Sequence, residues 1–313
     1  MGLASKLAQA QANPDAYSAA PAAAPVKELT RDVPAILRIL EEGVHDQNLS
    51  HFYPPGSLQP VAQRIAQTGA LSQIAQMWRL PLEIAMDLAR LALFDTVIHC
   101  DDSGSMSFEE NGSRIEELKS IVGKIATAAG LFDADGIQIR WMNSKKEGNN
   151  FTNEQQAYDL ISKIKFNRGT PLGISLHEKV LEPLVLKPIK KGKLKKPLLI
   201  ICVTDGAPTG EARDTIIKVM KETKKTLDKT PFTSDAVSFQ LAQVGNDMEA
   251  REFLEWIDED KTIGSLVDTT SGFEHEQDNF SKANPPVHLT REMWLAKLLL
   301  GPIHSGWDAA DEK

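Results

Sequence analysis

Phe94-Asp95-Thr96-Val97-Ile98-His99-Cys100-Asp101-Asp102-Ser103-Gly104-Ser105-Met106 runs a strand-like segment straight into a cluster of oxygen-bearing side chains. A second segment repeats the pattern: the wholly apolar Leu198-Leu199-Ile200-Ile201-Cys202-Val203 leads into Thr204-Asp205-Gly206. Between them, Gly169-Thr170-Pro171 stands just before a helical periodicity. In a parallel sheet both acidic turns fall on the one edge where strands end and ligands bind. From residue 94 onward strand and helix patterns alternate. That predicts an open, doubly wound, mostly parallel α/β sheet of Rossmann-like type, preceded by a small helical region.

Asp101-x-Ser103-x-Ser105, with Gly104 and Met106 alongside, resembles the metal-ion-dependent adhesion site of the von Willebrand factor A domain. Gly169-Thr170 and Thr204-Asp205-Gly206 are similar, in order and separation, to that family's second and third metal loops. The resemblance covers residues 94–270. It implies a metal shell of Asp101, Ser103, Ser105, Thr170 and Asp205, a bound magnesium or manganese ion, and one antiparallel edge strand. It further implies a partner protein whose exposed Asp or Glu completes the coordination, and a last helix that moves when the coordination changes. Asp102, at the variable position, adds a negative charge expected to strengthen cation binding.

The chemistry is intelligible without the family. Magnesium takes near-octahedral oxygen geometry, keeps several waters and is usually held by one or two carboxylates. Two carboxylates and three hydroxyls leave such an ion under-neutralised and open to an outside acid. The alternative reading of each segment alone is a helix cap, since Ser, Thr and Asp are favoured at helix starts. Three such segments at one sheet edge favour the metal.

The chain has 313 residues, 42% hydrophobic and 25% charged, which bounds it to a globular protein of one or two domains. Its net charge of -8 argues against a general nucleic-acid binder. No apolar run reaches the ~20 residues of a membrane span, and the first 30 residues lack the layout of a secretory signal, so a cytoplasmic or nuclear protein is expected. Cys100 and Cys202 sit in the two most apolar strand candidates and read as a buried reduced pair. The histidines show no zinc-ligand spacing. The sequons at Asn48, Asn111, Asn150 and Asn279 read as chance matches.

Residues 1–30, rich in Ala, Pro and Gln, read as a disordered tail. Residues 31–93 carry apolar residues at helix spacing (Val33, Ile36, Leu37, Leu40; Val61, Ile65, Leu71, Ile74, Met77; Leu82, Ile84, Leu88, Leu91). Ser113-x-x-Glu116 reads as a capping box opening a helix that Gly130 ends, and Thr152-x-x-Gln155 as the start of another. Strands are expected at residues 136–142, 236–244 and 266–268, with a reversing turn at 145–150. A helix over 211–227 and one capped by Asn246 complete the domain. Lys187, Lys190, Lys191, Lys193, Lys195 and Lys196 read as a solvated loop, with nuclear import the competing reading. Residues 271–313 form a C-terminal extension: 273–286 has few core candidates and is expected to be mobile, 290–300 forms an amphipathic helix, and 308–313 frays.

Three functions compete. The first is a non-enzymatic interaction module in which the cation receives a partner's acid, with Met106, Phe108, Glu109 and Glu110 beside the site setting specificity. The second is a metal-assisted phosphohydrolase. It lacks the usual second Asp two residues after the first, a place taken by Ser103. It also lacks a general-base histidine, since His99 is expected inside the sheet and His177 on a helix face. The third is a scaffold that binds through its N-terminal helices.

Overall fold

The computed structural model describes residues 6–8, 29–283 and 286–308. The chain divides into two units, one of residues Phe94–Gly130 and Ala134–Gly272, the other of Met1–Leu93, Leu131–Asp133 and Phe273–Lys313.

The first unit is built on a six-stranded sheet of order β3-β2-β1-β4-β5-β6, flanked by helices. Its strands are β1 (Asp95–Cys100), β2 (Ile137–Trp141), β3 (Gly148–Phe151), β4 (Leu198–Thr204), β5 (Val237–Gln243) and β6 (Val267–Thr270). All neighbours pair in parallel except β2 and β3, the antiparallel edge. Both central strands are buried along essentially their whole length because helices cover parallel sheets on both faces, which is why β4 reads as an unbroken apolar run. β5 is also fully buried, although the sequence alternates there; Ser238, Gln240 and Gln243 lie in the interior. After β1 the chain first adds β2 on one side, then returns to add β4 on the other. The strand order therefore reverses at β1/β4, and the Asp101 and Asp205 turns both leave the sheet at that point.

Besides the single turn Ser105–Phe108, the helices of this unit include α1 (Ser113–Phe132, whose last two residues are counted with the other unit), α2 (Glu154–Ile161), α3 (Leu172–Leu176), α4 (Thr215–Leu227) and α5 (Met248–Asp258). Several differ from expectation by a residue or a role. Gly130 does not end α1; it lies within it, and a Cβ there meets Thr152 at 2.9 Å, so it permits close approach of that loop. Asn153, not Thr152, caps α2 by accepting from the Gln156 N–H, while the Gln156 side chain accepts from the Thr152 N–H. Asp247, not Asn246, caps α5 through the Ala250 N–H. The Ser113 hydroxyl donates to the Glu110 carboxylate instead of closing a capping box with Glu116.

α3 continues as a π-helical stretch, His177–Leu186, and closes at Lys187–Lys190. Pro183 lies inside the widened stretch. A proline lacks the N–H and its ring collides with the carbonyl four residues back, a conflict that the wider turn relieves. The first lysines of the expected loop are thus the last helical turn.

The second unit contains helices Val33–Asp46, Gln59–Thr68, Ala70–Trp78 and Leu82–Asp87, then Phe273–Lys282 and Arg291–Leu300. Ile36, Leu40, Ile65, Leu71, Ile74, Ile84 and Leu88 form its buried stripes, while Met77 is half exposed. Phe273–Lys282 is ordered as a helix where mobility was expected, seating Phe273 and Phe280 inside and burying Glu276 against Lys297 at 3.0 Å. Arg291–Leu300 is not amphipathic: every residue from Met293 to Leu300 is buried. Residues 6–8 are helical with Leu7 buried, Thr30 at the end of the expected tail is buried too, and residues 1–5 and 9–28 of that tail, like residues 309–313, lie outside the described residues. No helix among the described residues is long and apolar enough to cross a membrane.

Gly136 opens β2 at φ +64°, with the Phe151 carbonyl directly where a Cβ would stand, whereas Gly210 (φ +80°) has nothing within 4 Å. Gly210→Ala is expected to cost only the backbone strain of about 1–2 kcal/mol. Gly136→Ala is expected to cost clearly more in urea denaturation, because the β2–β3 edge must also shift.

Candidate functional site

β1 and β4 pair in parallel with His99 opposite Cys202 and Cys100 opposite Val203, so the next residues of each strand leave the sheet side by side. Asp101 and Asp205 are both fully buried. Asp101 accepts from the Ser103 N–H through Oδ1 (2.8 Å) and from the Thr204 hydroxyl through Oδ2 (2.7 Å). The Ser103 and Ser105 hydroxyls lie 3.0 Å apart, and Ser105 donates to Asp205 Oδ1 at 2.9 Å. One chain of contacts therefore joins Asp101, Ser103, Ser105 and Asp205, residues a hundred positions apart in sequence.

The second loop is drawn in by backbone ties. Gly104 N–H donates to the Arg168 carbonyl (3.0 Å) and Asn167 N–H to the Asp102 carbonyl (2.9 Å). Thr170 exchanges two bonds with Thr209, its N–H to the Thr209 hydroxyl and its carbonyl from the Thr209 N–H. Glu211 accepts from the Gly173 and Ile174 N–H groups, holding the start of α3 to the loop that follows β4. Thr170 is 3% exposed, and its hydroxyl makes no hydrogen bond among the described residues. Asp102 turns both oxygens to Asn143 and Ser144, and Asn143 donates onward to the Gly169 carbonyl. Its geometry is that of a clasp between the first loop and the loop after β2, besides the charge expected of it.

Arg114 is the residue that sequence reasoning missed. From the first turn of α1 its Nη1 reaches Asp205 Oδ2 at 2.7 Å, while Nε and Nη2 take Glu110 Oε1 at 3.1 and 3.0 Å. Burial works against its charge, but the hydrogen bonds to Asp205 and Glu110 outweigh it and hold the guanidinium above its ordinary pKa. A cation in the first turn of a helix opposes the helix dipole, and that local misfit is the signal that its partner lies elsewhere. Glu110 also accepts from Asn246 N–H, and Glu110 and Asn111 both sit at positive φ. Met106 is fully buried, which removes it from any surface beside the site, whereas Phe108 is 82% exposed.

Charge is unevenly met here. Asp205 has a guanidinium; Asp101 has only neutral donors. Burial first, and the Asp205 carboxylate second, push the Asp101 carboxyl up to about 7. A buried carboxylate without a cation is costly; taking up a proton relieves that cost, and a hard divalent ion would relieve it equally. Among the described residues no three His, Cys, Asp or Glu side chains gather as a metal cluster, and a cation held at Asp101 would have to draw on hydroxyl oxygens as much as on carboxylates. That donor set fits magnesium or manganese and not zinc.

His99 is buried with Nε2 3.0 Å from Ser175 Oγ and Nδ1 3.8 Å from Cys202 Sγ. Burial, with nearby Lys179 adding to it, lowers its pKa to about 3. Cys100 and Cys202 are free and buried, and burial pushes the Cys202 thiol up to about 12. No protein-family model matches the chain, and no curated protein sequence matches it.

Because the folded pKa of Asp101 lies above the unfolded value of 3.8, the fold holds a proton that the unfolded chain releases between those values. Its contribution to stability therefore falls as pH rises from about 4 to about 7 and is level above. In chelator, Asp101→Asn is expected to gain stability relative to wild type across that window, with the difference flat above it. Urea denaturation at stepped pH checks this; His99, which acts in the opposite sense below 6.5, is common to both proteins and cancels.

Proposed function

We propose that this protein is a divalent-cation-dependent protein-interaction module in which Asp101, Ser103, Ser105, Thr170 and Asp205 hold a magnesium or manganese ion that accepts a partner's carboxylate. The observation that carries the reading is the buried Asp101 carboxylate, met only by neutral donors, joined through Ser103 and Ser105 to Asp205. Thr170 stands on the loop tied to Asp102 and Gly104, and its hydroxyl, which makes no hydrogen bond among the described residues, would add a further oxygen. The resemblance to the von Willebrand factor A adhesion site supports the same set. The bound ion supplies a Lewis-acidic position for an outside oxygen.

The residues of the chain do the rest. Arg114 occupies one oxygen of Asp205 and so limits that carboxylate to a single free oxygen already turned to Ser105. This keeps the negative charge around the ion low, the condition under which an outside acid is attracted. Phe108 offers an exposed apolar contact beside the first loop. The locked, neutral His99 supports binding over hydrolysis, since a general base must reach its proton in a substrate pose. An intracellular setting suits the two buried free thiols.

Manganese or magnesium at about 100 times its Kd is expected to raise Tm by roughly 5 to 10 °C, from a linkage stabilisation of about 2.7 kcal/mol. Thr170→Val and Asp101→Asn should each lose most of that shift while melting cooperatively in chelator. A wild-type melt indifferent to both ions contradicts the reading.

A further inference from the structure

Beside the candidate cation site lies a cavity of about 370 Å³ lined by Asp102, Asn143, Ser144, Lys145, Lys146, Lys163, Lys165, Asn167 and Arg168. Its walls are two loops, the one joining β2 to β3 and the one leading from α2 to Thr170. Lys145, Lys146, Lys163, Lys165 and Arg168 are all exposed, and none of them joins an ion pair among the described residues. The Lys146 ammonium donates to the Lys163 carbonyl, which binds the two walls together. Below them the Lys179 ammonium donates to the carbonyls of Trp141, Met142 and Ser144 at 2.7 to 2.9 Å and fixes the first wall. The only acid in the lining, Asp102, spends both oxygens on Asn143 and Ser144. A concentration of unanswered positive charge in a chain of net charge -8 is a local field built against the global one.

We propose that this cavity is an anion subsite that receives the acidic side chains of a short, multi-acid peptide segment of a partner, beside the carboxylate that the cation site takes. The inference deepens the proposed function and rests on it only for that first carboxylate. Continuity is structural: Asp102 follows Asp101 directly, Arg168 accepts from Gly104 N–H, and Asn143 bonds both Asp102 and Gly169. A peptide fits better than a nucleic acid. The cavity has side-chain dimensions and its lining contains no aromatic ring for base stacking, and the surrounding negative charge disfavours a long polyanion.

The test is fluorescence anisotropy with a labelled oligo-glutamate peptide, its oligo-glutamine counterpart and a single-stranded oligonucleotide, each in manganese and in chelator. The triple variant Lys145→Gln, Lys163→Gln, Lys165→Gln removes pocket charge at exposed positions. Lys190→Gln, Lys191→Gln, Lys193→Gln removes the same charge from another exposed stretch. Expected are binding of oligo-glutamate alone, a loss on the order of tenfold in the pocket variant under both conditions, and no loss in the control variant. Equal binding by wild type and pocket variant, or an equal loss in the control, overturns the subsite. An oligonucleotide bound more tightly than the peptide overturns the peptide assignment. Wild-type binding that is indifferent to chelator, yet lost in the pocket variant, overturns the cation reading and leaves the subsite standing.

Discussion

Two carboxylates removed from water at the end of adjacent parallel strands set the terms for the rest of the domain. Asp101 and Asp205 are both fully buried, yet the guanidinium of Arg114 answers only one of them. Desolvated charge of this kind is retained only where pairing or a bound ion compensates it. The surrounding loops are arranged to that end: hydroxyls of Ser103, Ser105 and Thr204 turn inward, and the ties among Thr170, Thr209 and Glu211 hold the second and third loops together. The sheet order supplies the location, since only at β1/β4 does the winding reverse and leave a crevice.

How far the sequence revealed this follows from the range over which each interaction acts. The sheet was legible because full burial of parallel strands favours apolar runs, of which β4 is one, and because strand and helix patterns alternate from residue 94 onward. The antiparallel edge at Gly148–Phe151 followed from the resemblance, while the turn expected at 145–150 falls earlier, because Gly148, Asn149 and Asn150 already belong to the strand. Cap positions slipped by one residue at Asn153 and Asp247, because neighbouring Thr, Asn and Asp side chains are near-equivalent caps and only the backbone angles choose. The Phe273–Lys282 helix was hidden because just Phe273, Glu276 and Phe280 turn inward, and Glu276 is paid for by Lys297, a partner no local pattern shows.

The site divides in the same way. Asp101, Ser103, Ser105 and Asp205 come together through the contacts described above, while a shared metal role for them and Thr170 is what the resemblance implies. Arg114 was missed because its partner lies 91 positions away and α1 reads as helical whatever occupies its second residue; a cation at the wrong end of the helix dipole was the one local hint. The cationic cavity was missed as well: Lys145 and Lys146 belong to one turn, Lys163 and Lys165 to another, and each short group alone reads as solvated surface. The oxygens proposed to hold a cation and the ammonium groups of the cavity lie on adjoining loops, and a partner segment rich in Asp and Glu is the proposed chemistry that would satisfy both.

The most direct test of the central claim is crystallographic. Crystals grown with manganese and measured at a wavelength where manganese scatters anomalously should show a single anomalous peak within coordination distance of Asp101, Ser103 and Ser105, and Asp205 Oδ2 should remain on Arg114. Anomalous maps featureless at that position, with Asp101 still bonded only to Ser103 and Thr204, would contradict the account.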